Sequence, residues 1–233
     1  MTTPKVFEAS AESKAKAKSL RLFAILAWIV GIGLEVFAIL KLINDETLLW
    51  LIVAIVVILG LSITGSLLWK KANRLDPASE QQKVKFFIQS QLGAILAAIC
   101  FLPLLLLILT NKNINGKTKG IAGAIAGIAL LAGVFTGIDF NPPSVEKYTK
   151  EINAQTDSLN NVNADANLVY WTNQGNKYHI YEDCFHIKNR QINSGSVSQA
   201  FESKGLSEIC KDCYKKAEKA KQSLLPSEAE ANQ

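Results

Sequence analysis

Between Leu20 and Ile138 the chain consists mostly of Leu, Ile, Ala, Val and Gly, and on either side it turns to Lys, Glu, Asn, Gln and Ser. Four stretches inside this region are long and apolar: about 20–42, 48–69, 86–110 and 120–138. Crossing roughly 30 Å of hydrocarbon takes about 20 mostly apolar residues in a helix. Each stretch meets that length, and a buried helix of a soluble core would be shorter and carry a polar face. The pattern predicts an α-helical membrane bundle of four transmembrane helices, followed by a small α+β domain. The first apolar stretch is too long for a secretory signal core and carries Glu35, so it is expected to remain in the mature chain.

Charge then sets the expected orientation. The N-terminal segment carries Lys5, Lys14, Lys16, Lys18 and Arg21, and the middle loop carries Lys70, Lys71, Arg74, Lys83 and Lys85. The other two loops hold Lys41 and then Lys112, Lys117 and Lys119. Ten basic residues against four place the N-terminus, the middle loop and the C-terminus in the cytoplasm, in the inner membrane. The overall net charge of +5 is modest and spread over both ends, so it points to no particular partner. The middle loop's basic residues are expected to meet anionic lipid headgroups.

Within the spans, two features stand out. Gly123 and Gly127, then Gly133 and Gly137, repeat at a four-residue step, a small-residue face that packs helices within the bundle or supports self-association. Glu35 is an ionisable group inside a span, by default a functional candidate. At 1.5 Å per residue it lies about 22 Å from the cytoplasmic end of its helix. At that depth the other spans offer apolar residues around Ala54, Phe101 and Ile125, which gives an ion or proton path little support.

After the fourth span, "DFNPPS" opens a helix-permissive but nearly all-polar stretch from Ser144 to Leu159, and "NNVNADAN" reads as a flexible linker. From Leu168 the composition changes again. "LVYWT" and "KYHIY" read as strands joined by a turn at "NQGN". "SVSQAFESKG" reads as a short helix with Ser196 and Gln199 in capping-box spacing and Gly205 as its stop. "LSEICKDC" leads into a Lys-rich helix. The expected domains are therefore a basic N-terminal segment over 1–19, the bundle over 20–138, a polar helix and linker over 139–167, the small module over 168–223 and a disordered tail over 224–233.

A module of this size buries too little apolar surface to stand alone, so a metal or other staple is expected. Its candidate ligands are His179, Cys184, His186, Cys210 and Cys213. The Cys210-x-x-Cys213 pair forms a knuckle whose thiolates converge on one ion, and a second pair completes a tetrahedron. Cys184 and His186 share a face of a strand or lie roughly 200° apart on a helix, and neither arrangement suits one small ion. His179 and Cys184 are separated by a loop that lets both turn inward. The reading is therefore one structural zinc ion held by His179, Cys184, Cys210 and Cys213, with His186 exposed. In a reducing compartment these cysteines bind metal rather than form disulfides. Cys100, in the third span, is expected to be an inert apolar filler.

Four protein ligands leave no open position, and the zinc-deaminase signature is absent: no H-x-E precedes the CxxC, and Ile209 stands where that signature has Pro. No catalytic constellation is found, so an enzyme is not expected. The segments "VYWTNQGNKYHIYEDCFHI" and "SVSQAFESKGLSEICKDC" resemble a small bacterial module similar in ligand layout to the metal-binding segment of Ada-type DNA repair proteins. "GSLLWKKANRLDPAS", "VKFFIQSQLGAI", "FLPLLLLILTNKN" and "DFNPPS" resemble a bacterial family of four-span membrane proteins of unassigned activity that end in the same module. "SEIC" departs from the usual Pro or basic residue before the first Cys of the pair, which leaves the ligand set unchanged.

Three functions follow as expectations. The first is a membrane-anchored zinc module that binds a cytoplasmic macromolecule. The second is a small channel or transporter with a regulatory metal domain, motivated by Glu35 and the glycine face. The third is a tethered nucleic-acid-binding module, motivated by nine Lys/Arg against six Asp/Glu between Leu168 and Lys221, with Tyr170, Trp171, Tyr178 and Phe185 among them.

Overall fold

The computed structural model describes residues 6–162, 168–206 and 208–224. Most of "NNVNADAN" and all but the first residue of the expected tail lie outside them. The chain divides into two compact units: Ala11–Ser144, and Val145 onward together with the segment that ends at Ser10.

The first unit holds four long helices: α1 (Ala11–Lys41), α2 (Leu48–Leu75), α3 (Lys83–Thr110) and α4 (Gly116–Gly137). All four are long and apolar enough to cross a membrane. They overrun the expected spans where the apolar stretch gives way to helix-permissive polar sequence. α1 starts in "AESKAKAKS" and α2 runs on through "KKANRL". α1 packs chiefly on α2, α3 on α4, and the two hairpins meet through α2 and α4. The seam is filled by fully buried Leu51, Ile55, Ile58, Phe101, Leu104 and Ile108, while residues such as Leu22, Phe37, Val56, Leu106 and Leu131 point outward. Apolar side chains inside and out are what a helix in lipid carries.

Glycines set how closely α3 and α4 approach. A Cβ on Gly137 would strike the backbone of Gly93 and Ala94, and one on Gly133 would lie 3.2 Å from the Ala97 Cβ. A Cβ on Gly123 would meet the Leu109 side chain at 2.9 Å. These three glycines thus pack against α3 of the same chain, whereas a Cβ on Gly127 would meet nothing within 4 Å among the described residues.

Both ends of the bundle are tied by polar contacts. At one end the Asn115 backbone N–H donates to the Asp45 carboxylate (3.1 Å), and the Asn115 side chain caps α4 by accepting from Thr118 N–H (2.8 Å). At the other, Lys70 Nζ donates to the carbonyls of Thr136 and Ile138, both at 2.7 Å, at the C-terminus of α4. Trp69 Nε1 (2.8 Å) and Asn73 Nδ2 (2.6 Å) donate to the Gln89 carbonyl. Arg21 donates to the Asp76 carboxylate and carbonyl, both at 2.8 Å. The motifs "WKKANRLD" and "FFIQSQ" supply this belt, and Gln91 of the latter donates to the Asp139 carbonyl of "DFNPPS" (3.3 Å), so much of their polarity serves helix ends.

Glu35 of α1 is 4% exposed, in electrostatic reach of Cys100 and beside the Leu104 backbone of α3. Cys100 is itself buried. The carboxyl is therefore enclosed by the bundle at the depth expected from the helical rise, and does not reach outward.

The second unit comprises α5 (Val145–Val162), β1 (Val169–Thr172), β2 (Ile192–Gly195), α6 (Val197–Lys204) and α7 (Lys211–Leu224). The strands pair antiparallel, Val169 opposite Gly195 and Thr172 opposite Ile192. The sheet differs from the expected hairpin. "KYHIY" contributes only bridges, Tyr170 to His179 and Tyr178 to Ile209, and the strand partner of β1 is "INSG", too polar to be read as a strand. His179 makes one pair of backbone bonds with Tyr170 (2.8 and 2.7 Å), after which its segment turns away from the ladder. α6 follows expectation: Ser196 and Gln199 form the capping box and Gly205 stops the helix at φ 67°. Gly195 leaves room beside it, because a Cβ there would displace the capping Gln199 Oε1 and lie 3.1 Å from Trp171.

α5 is more than a polar spacer. Ile152, Leu159 and Val162 are buried, and Leu159 and Val162 join the core built by Val169, Tyr178, Ile187 and Leu206. The fully buried Tyr178 donates its hydroxyl hydrogen to Gln155 Oε1 (2.9 Å), so the core recruits α5 through a polar contact as well. Phe7 and Ala9 form a second cluster with Ile152 and Phe201, with the Phe7 ring edge-on to Tyr148 at 5.1 Å. The Phe7 N–H donates to Thr149 Oγ1 (2.9 Å), so the described segment before α1 is part of this unit.

Candidate metal centre

Three local structures aim the ligands. His179 comes from the bridge beside β1, and Cys184 from a run of tight turns in which Cys184 N–H bonds the Tyr181 carbonyl and Ile187 and Lys188 N–H bond that of Cys184. Cys210 and Cys213 sit at the start of α7, fixed by Cys210 N–H donating to the Tyr178 carbonyl (2.8 Å). The helix-like turning at 184–188 sends Cys184 inward and His186 outward, the separation expected for a helical geometry.

The donor atoms of His179, Cys184, Cys210 and Cys213 all lie within 4.8 Å of one another. His179 Nδ1 is 3.3 Å from Cys184 Sγ and 3.7 Å from Cys213 Sγ. In a tetrahedral site with metal–sulfur bonds near 2.3 Å and metal–nitrogen bonds near 2.0–2.1 Å, nitrogen and sulfur stand about 3.6 Å apart. The two observed nitrogen–sulfur distances bracket that value, and the close grouping of all four donors is compatible with a metal site. All four are buried, Cys184 least, at 9% exposure.

Burial also sets their protonation. It pushes the Cys213 thiol up to about 12 and, helped by nearby His186, lowers the His179 imidazole below its usual range. Without a cation the pocket thus favours a neutral thiol and a neutral imidazole. A bound divalent cation reverses this for the thiol and accepts the imidazole as it is.

His186, as expected, lies outside this set. Its Nε2–H donates to Asp212 Oδ2 (2.8 Å), and its ring stacks on exposed Phe185 with centroids 3.8 Å apart. Asp212, inside the CxxC knuckle, has no place in the sequence reading, although an acid between two ligands was a signal available there. Two cavities flank the centre. One of about 380 Å³ is bordered by His179, His186, Arg190, Cys210 and Lys211, and one of about 230 Å³ by Tyr181, Cys184, Phe185, Cys213 and Lys216. Glu35 belongs to the helical unit and takes no part in this cluster.

No family model, curated protein or solved structure matches this chain.

Proposed function

We propose that the protein is a multi-pass inner-membrane protein whose cytoplasmic module, built around one structural zinc ion, binds another macromolecule. The observation that carries this reading is the closed N1S3 set of His179, Cys184, Cys210 and Cys213, with spacings suited to a saturated tetrahedral ion. Zinc suits three soft thiolates and an imidazole in that geometry. The four apolar helices support membrane anchoring. The packing of Phe7 against Tyr148 supports an even number of crossings, because it joins the residues before α1 to those after α4. The reading assigns the protein no reaction of its own.

A first experiment measures metal in the intact protein purified in detergent. About one tightly held zinc per chain, lost in Cys210→Ser/Cys213→Ser, supports the centre; metal-free protein with the same fold refutes it. A second compares cross-linked partners of wild type and that variant in cells. Capture that needs the knuckle supports a binding module, and identical capture removes its basis. Burial of Glu35 in the bundle favours a second reading as a transporter. Ion flux in liposomes abolished by Glu35→Gln would put that reading first.

A further inference from the structure

We propose that His186, Cys210 and Asp212 form a second divalent-metal site, sharing the Cys210 thiolate with the four-ligand centre and opening onto the cavity beside it. The inference rests on the zinc reading above, since the shared thiolate must already be ionised. The donor atoms of these three residues also all lie within 4.8 Å of one another, and they bring an imidazole nitrogen, a sulfur and a carboxylate oxygen. Borderline divalent ions accept all three.

The existing hydrogen bond marks where the ion enters. His186 Nε2 and Asp212 Oδ2 are 2.8 Å apart, whereas two such donors on one tetrahedral ion stand about 3.4 Å apart. The ion takes the place of the hydrogen on Nε2, the imidazole stays neutral by carrying its single proton on Nδ1 instead, and the pair opens by about 0.6 Å. Both side chains are free to do so, being 45% and 56% exposed. As a hydrogen-bonded pair at that exposure they add little to stability. Cys210, by contrast, is 3% exposed and belongs to both donor sets. A thiolate bound to one ion keeps lone pairs for another, so it can bridge.

Charge favours the second ion. Three thiolates around one divalent ion leave one negative charge, and Asp212 makes two; a second divalent ion brings the pair of sites to neutrality. Of the basic residues bordering the cavity, Lys177 is matched by Glu208 at 2.8 Å. Arg190 and Lys211 border the same cavity and would attract an anion as the fourth ligand. Unlike the closed centre, a site with three protein ligands keeps a position open, and here it faces about 380 Å³ of space.

The test is cobalt loading of the full-length protein in detergent, followed by absorption and electron spin resonance and by metal counting with mass spectrometry; zinc is counted in parallel. Expected are two ions per wild-type chain, the second removed first by a weak chelator, and one ion in His186→Ala and in Asp212→Asn. The first cobalt gives the intense thiolate bands of a four-coordinate N1S3 site, which also reports that the variants fold. The second weakens the spin signal of the first through the shared sulfur. A single ion at saturation in wild type, or two in both variants, overturns the inference. Loss of every ion would instead overturn the four-ligand reading beneath it.

Discussion

If an ion holds Cys184, Cys210 and Cys213, their exposure to a thiol reagent must fall as free zinc rises, while Cys100 in α3 is indifferent. Structural zinc in small modules contributes an apparent 10–16 kcal/mol or so, equivalent to dissociation constants from about 10⁻⁷ to 10⁻¹² M. Free zinc is therefore set with chelator buffers across that range. Where labelling requires opening and loss of the ion, each tenfold rise adds about 1.4 kcal/mol to the opening free energy. Labelling of the three thiols should slow tenfold per decade of free zinc, a slope of one for one ion, over the range that fills only the four-ligand centre. The three sulfurs are 9%, 3% and 2% exposed as residues, so slow labelling alone proves nothing; the zinc slope does. Site-resolved mass spectrometry reads each cysteine separately, and Cys100, 2% exposed in another unit, controls for reagent and detergent. Zinc-independent labelling at Cys184, Cys210 and Cys213 would mean that no ion binds there. A slope at Cys210 and Cys213 but not at Cys184 would mean that the ligand set is wrong.

Competition with protons gives a second expectation. The Cys213 thiol, held up near 12 without metal, must lose its proton to bind, so apparent zinc affinity should fall at least tenfold for each pH unit lowered from 9 to 7, in a competition titration. His179 is shifted downward and already neutral there, so it adds its own proton penalty only as pH drops below the usual histidine range. In the bundle, Gly137→Ala should force α3 and α4 apart and lower stability by about 1–3 kcal/mol, whereas Gly127→Ala, with open space around it, should be neutral or slightly stabilising; thermal unfolding in detergent compares the two. Tyr178→Phe keeps the buried ring but leaves Gln155 without its donor, and should cost about 1 kcal/mol, with increased hydrogen exchange in α5.

How far the sequence carried these results depended on how many residues shared each signal. Four long apolar runs could only be long helices, and the Ser196/Gln199/Gly205 punctuation placed α6 to the residue. The grouping of His179, Cys184, Cys210 and Cys213 could be reasoned from spacing, because a CxxC has few ways to close on an ion and His179 and Cys184 sit one loop apart. β2 was illegible because "INSG" owes its strand to pairing with β1 rather than to any apolar alternation. Docking of α5 was equally hidden: Ile152, Leu159 and Val162 are a thin stripe on a polar helix, and the Gln155 contact depends on where Tyr178 ends up. Phe7 is a lone aromatic in a basic segment, with nothing nearby in sequence to name its partner.

That aromatic also imposes an order of events during synthesis. The Thr149 partner of Phe7 is made 142 residues after it, and Phe201 later still. At about 5–20 residues per second the ribosome needs roughly 7–28 s to cover the first of those intervals. For that time Phe7 has no cluster to join, and all four long helices are synthesised before it does. The packing around Phe7 is therefore completed only once residue 201 has been made, and a chain truncated between 152 and 201 has Phe7 resting on Tyr148 and Ile152 without the Phe201 ring that closes the cluster.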